Sequence, residues 1–237
     1  MKPSDRILVA LDTPDVSKAA ALAREVEGAV GGVKLGLEFF VANGPDKAQD
    51  VAGSTPLFLD LKFHDIPNTV AGAVRSAVTN AKPGILNVHA SGGLEMMRRA
   101  AEANVEAADA VGIAPPMLIA VTVLTSMDDA DLSAVGQSAP ALDQVVRLAK
   151  LTQEAGLDGV VCSALEIEAI RAACGADFKL VVPGIRPASA DAGDQKRVMT
   201  PSQAVDAGAD YLVIGRPITQ ADDPAAAARA IADELNG

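Results

Sequence analysis

The sequence is poor in the residues that build aromatic cores, disulfide frameworks and metal clusters. Its 237 residues include no tryptophan, one tyrosine, five phenylalanines, two cysteines and two histidines. Two cysteines, Cys162 and Cys174, cannot form a disulfide framework, and so low a count is typical of a reducing compartment. Two histidines without a cysteine pair provide no cluster with the ligand spacing of the usual protein metal sites. We therefore expect neither a disulfide-stapled scaffold nor a bound metal.

Long apolar runs and an excess of positive charge are also absent. The N-terminal segment MKPSDRILVALD has no apolar stretch of signal-peptide length, and the longest apolar runs are too short to cross a membrane. The formal net charge is −11, whereas proteins that bind nucleic acids carry a basic footprint. We expect a cytoplasmic protein without a membrane or nucleic-acid partner. A few local Lys and Arg side chains can still attract one small anionic ligand, because their field dominates at short range.

Apolar residues make up 49% of the chain, and they recur in short runs along its whole length. Eight runs have the length and composition of β-strands: 7–11, 33–37, 57–61, 85–88, 118–124, 159–162, 180–182 and 211–214. Alanine-rich segments with helical spacing lie between them, at 17–30, 70–81, 94–110, 142–155, 165–174 and 225–235. Five glycines lie where a helix would end: Gly28, Gly112, Gly156, Gly175 and Gly208.

Strand and helix alternating to a total of eight strands predict a (β/α)8 TIM barrel of the α/β class. The length suits one barrel domain over residues 1–237. An open, doubly wound sheet is the alternative, but such sheets usually carry a glycine-rich turn after the first strand. Here that place is held by Asp12, Thr13 and Pro14, which argues against a dinucleotide site.

Chemistry in such barrels takes place at the carboxyl ends of the strands. The predicted strand ends therefore supply the candidate functional residues, which are Asp12, Lys34, Asp60, Lys62, Asp65, Asn87, His89, Thr125, Ser126, Pro183, Gly184, Arg186, Gly215 and Arg216.

The densest group of charges lies in residues 60–70, DLKFHDIPNTV, which begin directly after the apolar residues 57–59 of the third strand. Because strand side chains alternate with period two, Asp60 and Lys62 share one face, and Lys34 on the second strand faces them. We call Lys34, Asp60, Lys62 and Asp65 the charge array. Placing a carboxylate and an ammonium together at a strand end has a high desolvation cost, which favours a functional use of the charges. The functional interpretation of the charge array is therefore an active site. The alternative is a solvated strand end with a salt bridge.

Alternating charges favour the ionised form of every member of the charge array. A lysine that stays protonated is a poor Schiff-base nucleophile, since that role requires the free amine. It is a good general acid for a carbanion, and a neighbouring carboxylate repels an anionic substrate group that departs as CO₂. The charge array therefore suits a cofactor-independent decarboxylation in which Lys62 protonates the new carbanion.

The ends of the seventh and eighth strands suit a phosphate group, since the loops after these strands commonly bind phosphate in such barrels. Gly215 lets a backbone N–H approach an anion, and Arg216 offers a planar fork of donors. Gln195 adds a neutral donor from the loop at 184–196, whose length predicts a lid over the phosphate. A solvated surface arginine and an ordinary loop glutamine are the simpler alternatives.

Five segments together resemble orotidine 5′-phosphate decarboxylase of the bacterial type: VALD, DLKFHDIPNTV, LIAVTVLTSM, VVPGIRP and VIGRPIT. They occur in the family's order from Asp12 to Gln220, and the strand-three motif is the most specific. The resemblance implies a (β/α)8 homodimer that converts orotidine 5′-monophosphate to uridine 5′-monophosphate, in the last step of de novo UMP synthesis. It also implies that no metal or organic cofactor takes part.

The resemblance assigns roles by position. It implies that Lys62 is the proton donor and that Asp65 and Thr69 are contributed by the partner subunit, so that each active site spans the dimer interface. It implies that Asp12 and Lys34 hold the ribose hydroxyls, with Thr125 and Ser126 at the pyrimidine edge and Pro183 against the ring. The residues that it places around the phosphate are Arg186, Gln195, Gly215 and Arg216.

Two other functions compete with this one. A related barrel lyase or aldolase acts on a sugar phosphate with Mg²⁺ and an enediolate, and it shares an Asp-x-Lys-x-x-Asp core. We would not expect it to have a lysine at position 34 or the IPNT continuation, and the two ammonium groups of the charge array repel a cation. A catalytically silent barrel that binds a nucleotide would be expected to have lost part of the charge array, whereas all four members are present.

Overall fold

A computed structural model describes residues 1–187 and 199–235. Eight parallel strands form a closed barrel in sequence order, and the first strand pairs with the eighth. The (β/α)8 barrel prediction is therefore confirmed, and the open sheet is excluded. The strands are β1 (Ile7–Ala10), β2 (Gly32–Gly36), β3 (Leu57–Phe63), β4 (Ile85–His89), β5 (Met117–Val121), β6 (Gly159–Val161), β7 (Lys179–Pro183) and β8 (Tyr211–Ile214).

The period-two alternation of the strands separates two apolar cores. Ile7 and Val9 of β1 point outward into the main core, which lies between the barrel and the helices. The inward-facing side chains fill the barrel interior: Leu8, Ala10, Phe58, Ile85, Ile119, Val181 and Val213. Along β3, Asp60 follows Phe58 on the inward face, which brings its carboxylate to the carboxyl end of the filled interior.

Ten α-helices belong to the described residues, and most of them cover the barrel. They are α1 (Val16–Val26), α2 (Leu37–Ala52), α3 (Pro67–Ala81), α4 (Leu94–Val111), α5 (Asp129–Ala134), α6 (Ala141–Glu154), α7 (Ile167–Cys174), α8 (Pro201–Ala207), α9 (Arg216–Thr219) and α10 (Pro224–Glu234). Some of their ends show the usual capping chemistry. The Asp15 carboxylate accepts the Ser17 and Lys18 N–H groups at the start of α1, and α4 ends on Gly112 with φ +69°.

Four helices were not predicted from the sequence: α2, α5, α8 and α9. Helix α2 contains Gly44 with φ +78°, followed by Pro45, so that two helical pieces join across a kink. A glycine and a proline in the middle of a segment normally end a helix, which explains why the pattern gave no helix there. The other three have only four to seven residues, too few for a 3.6-residue period to be read.

A polar cluster fastens the amino-terminal end of the barrel, opposite to the charge array. The Arg171 guanidinium donates to the Gly208 carbonyl at 3.0 Å, to the Gly175 and Ala176 carbonyls, and to the Asp210 carboxylate at 2.5 Å. Asp210 also accepts the backbone N–H of Leu180 at the start of β7. This cluster connects α7 and β7 to the loop before β8, and it stabilises the end of the barrel where catalytic residues are not expected.

Candidate active site

A cavity of about 580 Å³ opens at the carboxyl ends of the strands. Strands from around the barrel contribute to it, and closure of β1 on β8 brings the ends of the first and last strands together. The predicted site residues that line it are Asp12, Lys34, Asp60, Lys62, Thr125, Pro183, Gly184, Arg186, Gly215 and Arg216. The structure thus gathers ten predicted residues around one cavity of a size that holds a small ligand.

Three members of the charge array are in direct contact. The Lys62 Nζ lies 2.6 Å from Asp60 Oδ1, and the Lys34 Nζ lies 3.4 Å from Asp60 Oδ2. Lys34 also donates to Asp12 Oδ1 at 3.0 Å, so charges alternate over four side chains. This chain of contacts follows from parallel pairing, in which Ala10 lies beside Lys34 and Gly36 beside Asp60.

The Asp60 carboxylate is buried at the centre of this group. Its side chain is 13% exposed, compared with 10% for Lys34, 30% for Lys62 and 66% for Asp12. Burial opposes ionisation, but the charges of Lys34 and Lys62 and the hydrogen bonds from Lys62 and Asn87 hold the Asp60 pKa below its usual value. Asp60 is therefore a carboxylate at neutral pH, with an ammonium group at each oxygen.

The backbone at Lys62 has a left-handed conformation, with φ +51°. Regular pairing of β3 with β4 is interrupted here, since Leu59 pairs with Leu86 and the next pair is Phe63 with Val88. Period-two alternation predicts the Asp60–Lys62 contact correctly, yet it predicts neither this conformation nor the irregular register. A positive φ in a residue other than glycine costs about 1–2 kcal/mol and is frequent at functional sites.

The far side of the cavity is cationic. Arg186 follows β7 and is buried, with 7% exposure, and it donates to the Ile185 carbonyl. Gly215 and the exposed Arg216 follow β8. A Cβ built on Gly215 would lie 3.6 Å from the Ala10 Cβ and 4.0 Å from Asp12 Oδ2, so this backbone borders the cavity without a side chain in between. The predicted phosphate residue Gln195 and most of the predicted lid at 184–196 lie outside the described residues.

Three described residues to which the resemblance assigned a role are not part of the cavity wall in one chain: Asp65, Thr69 and Ser126. Asp65 and Thr69 are exposed, and the Asp65 Oδ1 accepts the N–H of Ile66 at 2.6 Å. No ion pair among the described residues joins Asp65 to Lys62 or Lys34. Ser126 is also exposed and lies beyond Thr125 in the loop after β5. Asp65 is thus separated from the other three members of the charge array.

Several residues that contribute to the site were missed in the sequence. Lys18, Leu22, Thr219 and Gln220 line the cavity from helices α1 and α9 and the residue that follows α9. A search restricted to strand ends omits helix residues that reach over the barrel rim. Asn87 was noted only as a strand-end residue, yet it is completely buried and bonded to Asp60. An amide in an otherwise apolar strand, ILNVH, was the available signal.

The two histidines lie together beside the charge array. The His64 and His89 rings are stacked with centroids 5.4 Å apart, and Ser91 Oγ lies 3.1 Å from His89 Nδ1. Burial, with the nearby charges of His64 and Lys62, lowers the pKa of His89. Within residues 1–187 and 199–235, no group of three or more histidine, cysteine or carboxylate side chains is placed to bind a metal ion. No helix in these residues is both long and apolar enough to span a membrane.

Comparisons of this chain with a family profile, with curated proteins and with solved structures all match one family. The sequence profile of the family described as "Orotidine 5′-phosphate decarboxylase / HUMPS family" matches residues 5–231. An orotidine 5′-phosphate decarboxylase of Rhodospirillum rubrum is 60% identical over 98% of this chain and 94% of its own length. That of Paramagnetospirillum magneticum is 56% identical over 97% of each chain. The crystal structure of the Lactobacillus acidophilus enzyme superposes with a TM-score of 0.86 at 37% identity, covering 98% of this chain and 99% of the other.

Proposed function

The chain belongs to the orotidine 5′-phosphate decarboxylase / HUMPS family, and we propose that it converts orotidine 5′-monophosphate to uridine 5′-monophosphate and CO₂. This reaction is the last step of de novo UMP synthesis. The observation that carries the proposal is the buried Asp60 carboxylate, held between two ammonium groups at the wall of a cavity whose far side is cationic. We further propose that residues 1–237 form one barrel domain that acts in the cytoplasm.

The cavity offers a separate place for each part of a nucleotide. We assign the phosphate to Arg186, Gly215 and Arg216, where two guanidinium groups and a bare backbone border the cavity. Gln195, the fourth predicted phosphate residue, lies outside the described residues. The Asp12–Lys34 pair, with an exposed carboxylate, suits the ribose hydroxyls. Thr125, Ser126 and Pro183 remain for the pyrimidine ring, and binding of the phosphate supplies energy that is remote from the reacting carbon.

The chemical step uses the charges around Asp60. The carboxylate of the substrate lies against the ionised Asp60, and the C6–carboxyl bond breaks so that CO₂ departs and the electron pair stays on C6. The Lys62 ammonium donates a proton to C6 and gives UMP, and the neutral amine then takes a proton from water. The ammonium is held in place before the reaction by its 2.6 Å contact with Asp60. Lys34, at the other Asp60 oxygen, keeps that carboxylate fixed.

The same contacts disfavour a Mg²⁺-dependent reaction of a sugar phosphate. Both Asp60 oxygens already contact an ammonium group, and a divalent cation there would meet the repulsion of Lys34 and Lys62. Added EDTA separates the two reactions, since it would abolish a Mg²⁺-dependent activity and leave this one unchanged.

The first experiment follows the loss of orotidine-monophosphate absorbance with pure protein in the presence of EDTA. Lack of turnover by the wild-type protein refutes the proposed function. In Lys62→Ala we expect kcat to fall by about 10³-fold or more, whereas UMP binds with similar affinity through the phosphate residues. The matched control is Lys179→Ala, which removes a lysine 3.7 Å from Asp210 at the opposite end of the barrel and should leave kcat unchanged. Near-normal turnover of Lys62→Ala would refute the role of Lys62 as proton donor.

We also propose that two copies of the chain form a homodimer and that Asp65 and Thr69 complete the site of the partner subunit. Three large apolar side chains are exposed beside the site: Leu37 at 52%, Val41 at 82% and Ile66 at 67%. Leu37 and Val41 are one turn apart on the same face of α2, and Leu37 shares the wall of a smaller cavity with Lys62. An exposed apolar patch next to Asp65, which forms no ion pair with the described lysines of the charge array, favours a subunit interface there.

Mixing two inactive variants tests the shared site. Lys62→Ala and Asp65→Ala proteins are each expected to be inactive as homodimers. A hybrid dimer contains one site with the wild-type Lys62 of one chain and the wild-type Asp65 of the other. Statistical exchange of equal amounts should therefore restore about a quarter of the wild-type activity. If the mixture stays inactive although sedimentation shows that hybrids form, Asp65 does not act across an interface. A monomer in sedimentation would refute the dimer itself.

A further inference from the structure

Asn87 is a polar residue in the interior of β4, with 0% exposure. Its side-chain oxygen accepts the backbone N–H of Lys62 at 2.7 Å, and its Nδ2 donates to Asp60 Oδ1, also at 2.7 Å. The two bonds fix the amide orientation, because only the carbonyl oxygen accepts from an N–H and only the NH₂ group donates to a carboxylate. One buried side chain therefore holds the two residues on which the chemistry depends.

The first of these bonds replaces a missing part of the β-sheet. Between the pairs Leu59–Leu86 and Phe63–Val88, β3 contains three residues, 60–62, and β4 contains only Asn87. Regular backbone pairing cannot continue across this mismatch, and Lys62 takes its φ of +51° here. The Asn87 oxygen accepts the Lys62 N–H in place of a backbone carbonyl. It therefore supports a conformation that a residue with a Cβ otherwise adopts at a cost of about 1–2 kcal/mol.

The second bond fixes the Asp60 carboxylate. Asp60 Oδ1 accepts from both Lys62 Nζ and Asn87 Nδ2, while Oδ2 faces Lys34. The Asn87 bond adds to the effect of the two lysines in lowering the pKa of Asp60. The donor direction of Asn87 also sets the plane of the carboxylate, and thereby the position from which Lys62 Nζ approaches the cavity.

We propose that Asn87 is a positioning residue of the decarboxylation, which aims the Lys62 ammonium by holding the Lys62 backbone and the Asp60 carboxylate at once. This inference rests on the proposed function, in which Lys62 is the proton donor. Asn87 does not line the described cavity, so it acts through Asp60 and Lys62 rather than on the substrate. Other side chains of similar size cannot replace it: leucine has neither group, and aspartate can accept from Lys62 but adds a second anion beside Asp60.

The test compares three variants. Asn87→Ala removes both bonds but also leaves a cavity. Asn87→Asp is nearly isosteric and leaves no cavity, so it tests the inference even if the alanine variant fails to fold. The matched control is Asn104→Ala. Asn104 is 4% exposed and donates to the Pro116 carbonyl at 2.8 Å, just before β5 at the opposite end of the barrel. Each variant is characterised by kcat, KM, melting temperature and the pH dependence of kcat.

We expect both Asn87 variants to lose about 10²-fold in kcat with little change in KM, since a displacement of about 1 Å of a reacting group has this effect. Loss of the Asn87 hydrogen bond raises the pKa of Asp60 in both variants, and the added anion of Asn87→Asp raises it further. The acid limb of the pH profile of kcat should therefore move to higher pH. A purely structural role would not shift that limb. Asn104→Ala should lower the melting temperature while kcat and its pH profile stay as in the wild type. If kcat and the acid limb of both folded Asn87 variants match the wild type, the inference is wrong.

A crystal structure of Asn87→Ala gives a readout that does not depend on turnover. We expect the Lys62 φ to leave the left-handed region and the Lys62 Nζ to Asp60 Oδ1 contact to lengthen. An unchanged Lys62 and Asp60 in the variant overturns the inference, even if the wild-type protein has a different substrate. Absence of wild-type turnover instead refutes the proposed function. The two failures are therefore distinguishable.

Discussion

The left-handed backbone at Lys62 predicts that glycine at this position gives a more stable protein than alanine, although both variants lose the catalytic ammonium. Lys62 has φ +51°, and the Cβ of any L-residue makes this conformation unfavourable by about 1–2 kcal/mol. Glycine adopts this conformation without the steric cost. Its greater conformational freedom in the unfolded chain, however, lowers the free energy of unfolding by about 0.5–1 kcal/mol relative to alanine. Both substitutions remove the same ion pair with Asp60, so this loss cancels in the comparison.

The net expectation is that Lys62→Gly is more stable than Lys62→Ala by about 0.5–1 kcal/mol. In a chain of this length, a change of about 1 kcal/mol in the free energy of unfolding shifts the melting temperature by about 2–4 °C. The melting temperatures of the two variants should therefore differ by about 1–4 °C. Thermal unfolding followed by calorimetry at pH 7 measures the difference. Turnover measured on the same samples should show that both variants are inactive.

The control is Lys82, the other residue besides glycines that has a positive φ among the described residues. Lys82 has φ +44°, is exposed, and ends helix α3 away from the cavity. Lys82→Gly should melt above Lys82→Ala by a similar amount, while both variants keep full turnover. Equal melting temperatures of the two Lys62 variants, beside a clear difference at Lys82, would refute backbone strain at Lys62. The inverted order would refute it as well.

Three further perturbations have expected outcomes. Asp60→Asn leaves Lys34 and Lys62 without the carboxylate between them and should lower the free energy of unfolding by about 3 kcal/mol. Because the folded pKa of Asp60 is lowered, this difference should persist above about pH 4 and shrink as pH falls through the folded pKa, as urea unfolding at several pH values would show. In Arg171→Lys, the lysine ammonium cannot bind all the carbonyls that the guanidinium contacts. The free energy of unfolding in urea should therefore fall by about 2 kcal/mol, with kcat unchanged. Gly215→Ala meets only ordinary contacts and should keep its melting temperature, while its methyl group raises KM for the phosphorylated substrate in steady-state assays.

Much of the barrel and of the charge array could be predicted because both depend on local periodicity. Eight apolar runs predicted eight strands, and the predicted boundaries differ from the observed ones by at most three residues. Sequential parallel strands are neighbours in a barrel, so the contact of Lys34 with Asp60 followed from strand order and period-two alternation. The helix α2 was missed, since Gly44 and Pro45 interrupt a pattern that only packing on the barrel restores.

The sequence by itself determined which residues are charged at the strand ends and in what order the strands follow one another. Contacts within one strand or between consecutive strands, such as that of Lys34 with Asp60, followed from that order, whereas only the tertiary structure decided which residues from distant strands meet. Closure of β1 on β8 brings Asp12 and Arg216 to one cavity, although they are 204 positions apart in the chain. The tertiary structure also separates Asp65 from Lys62, only three positions away, and places the Asn87 amide where the pairing of β3 with β4 is irregular. The physical reason is that periodicity reports which face a side chain occupies, whereas a hydrogen bond depends on the register of strands that lie far apart in sequence.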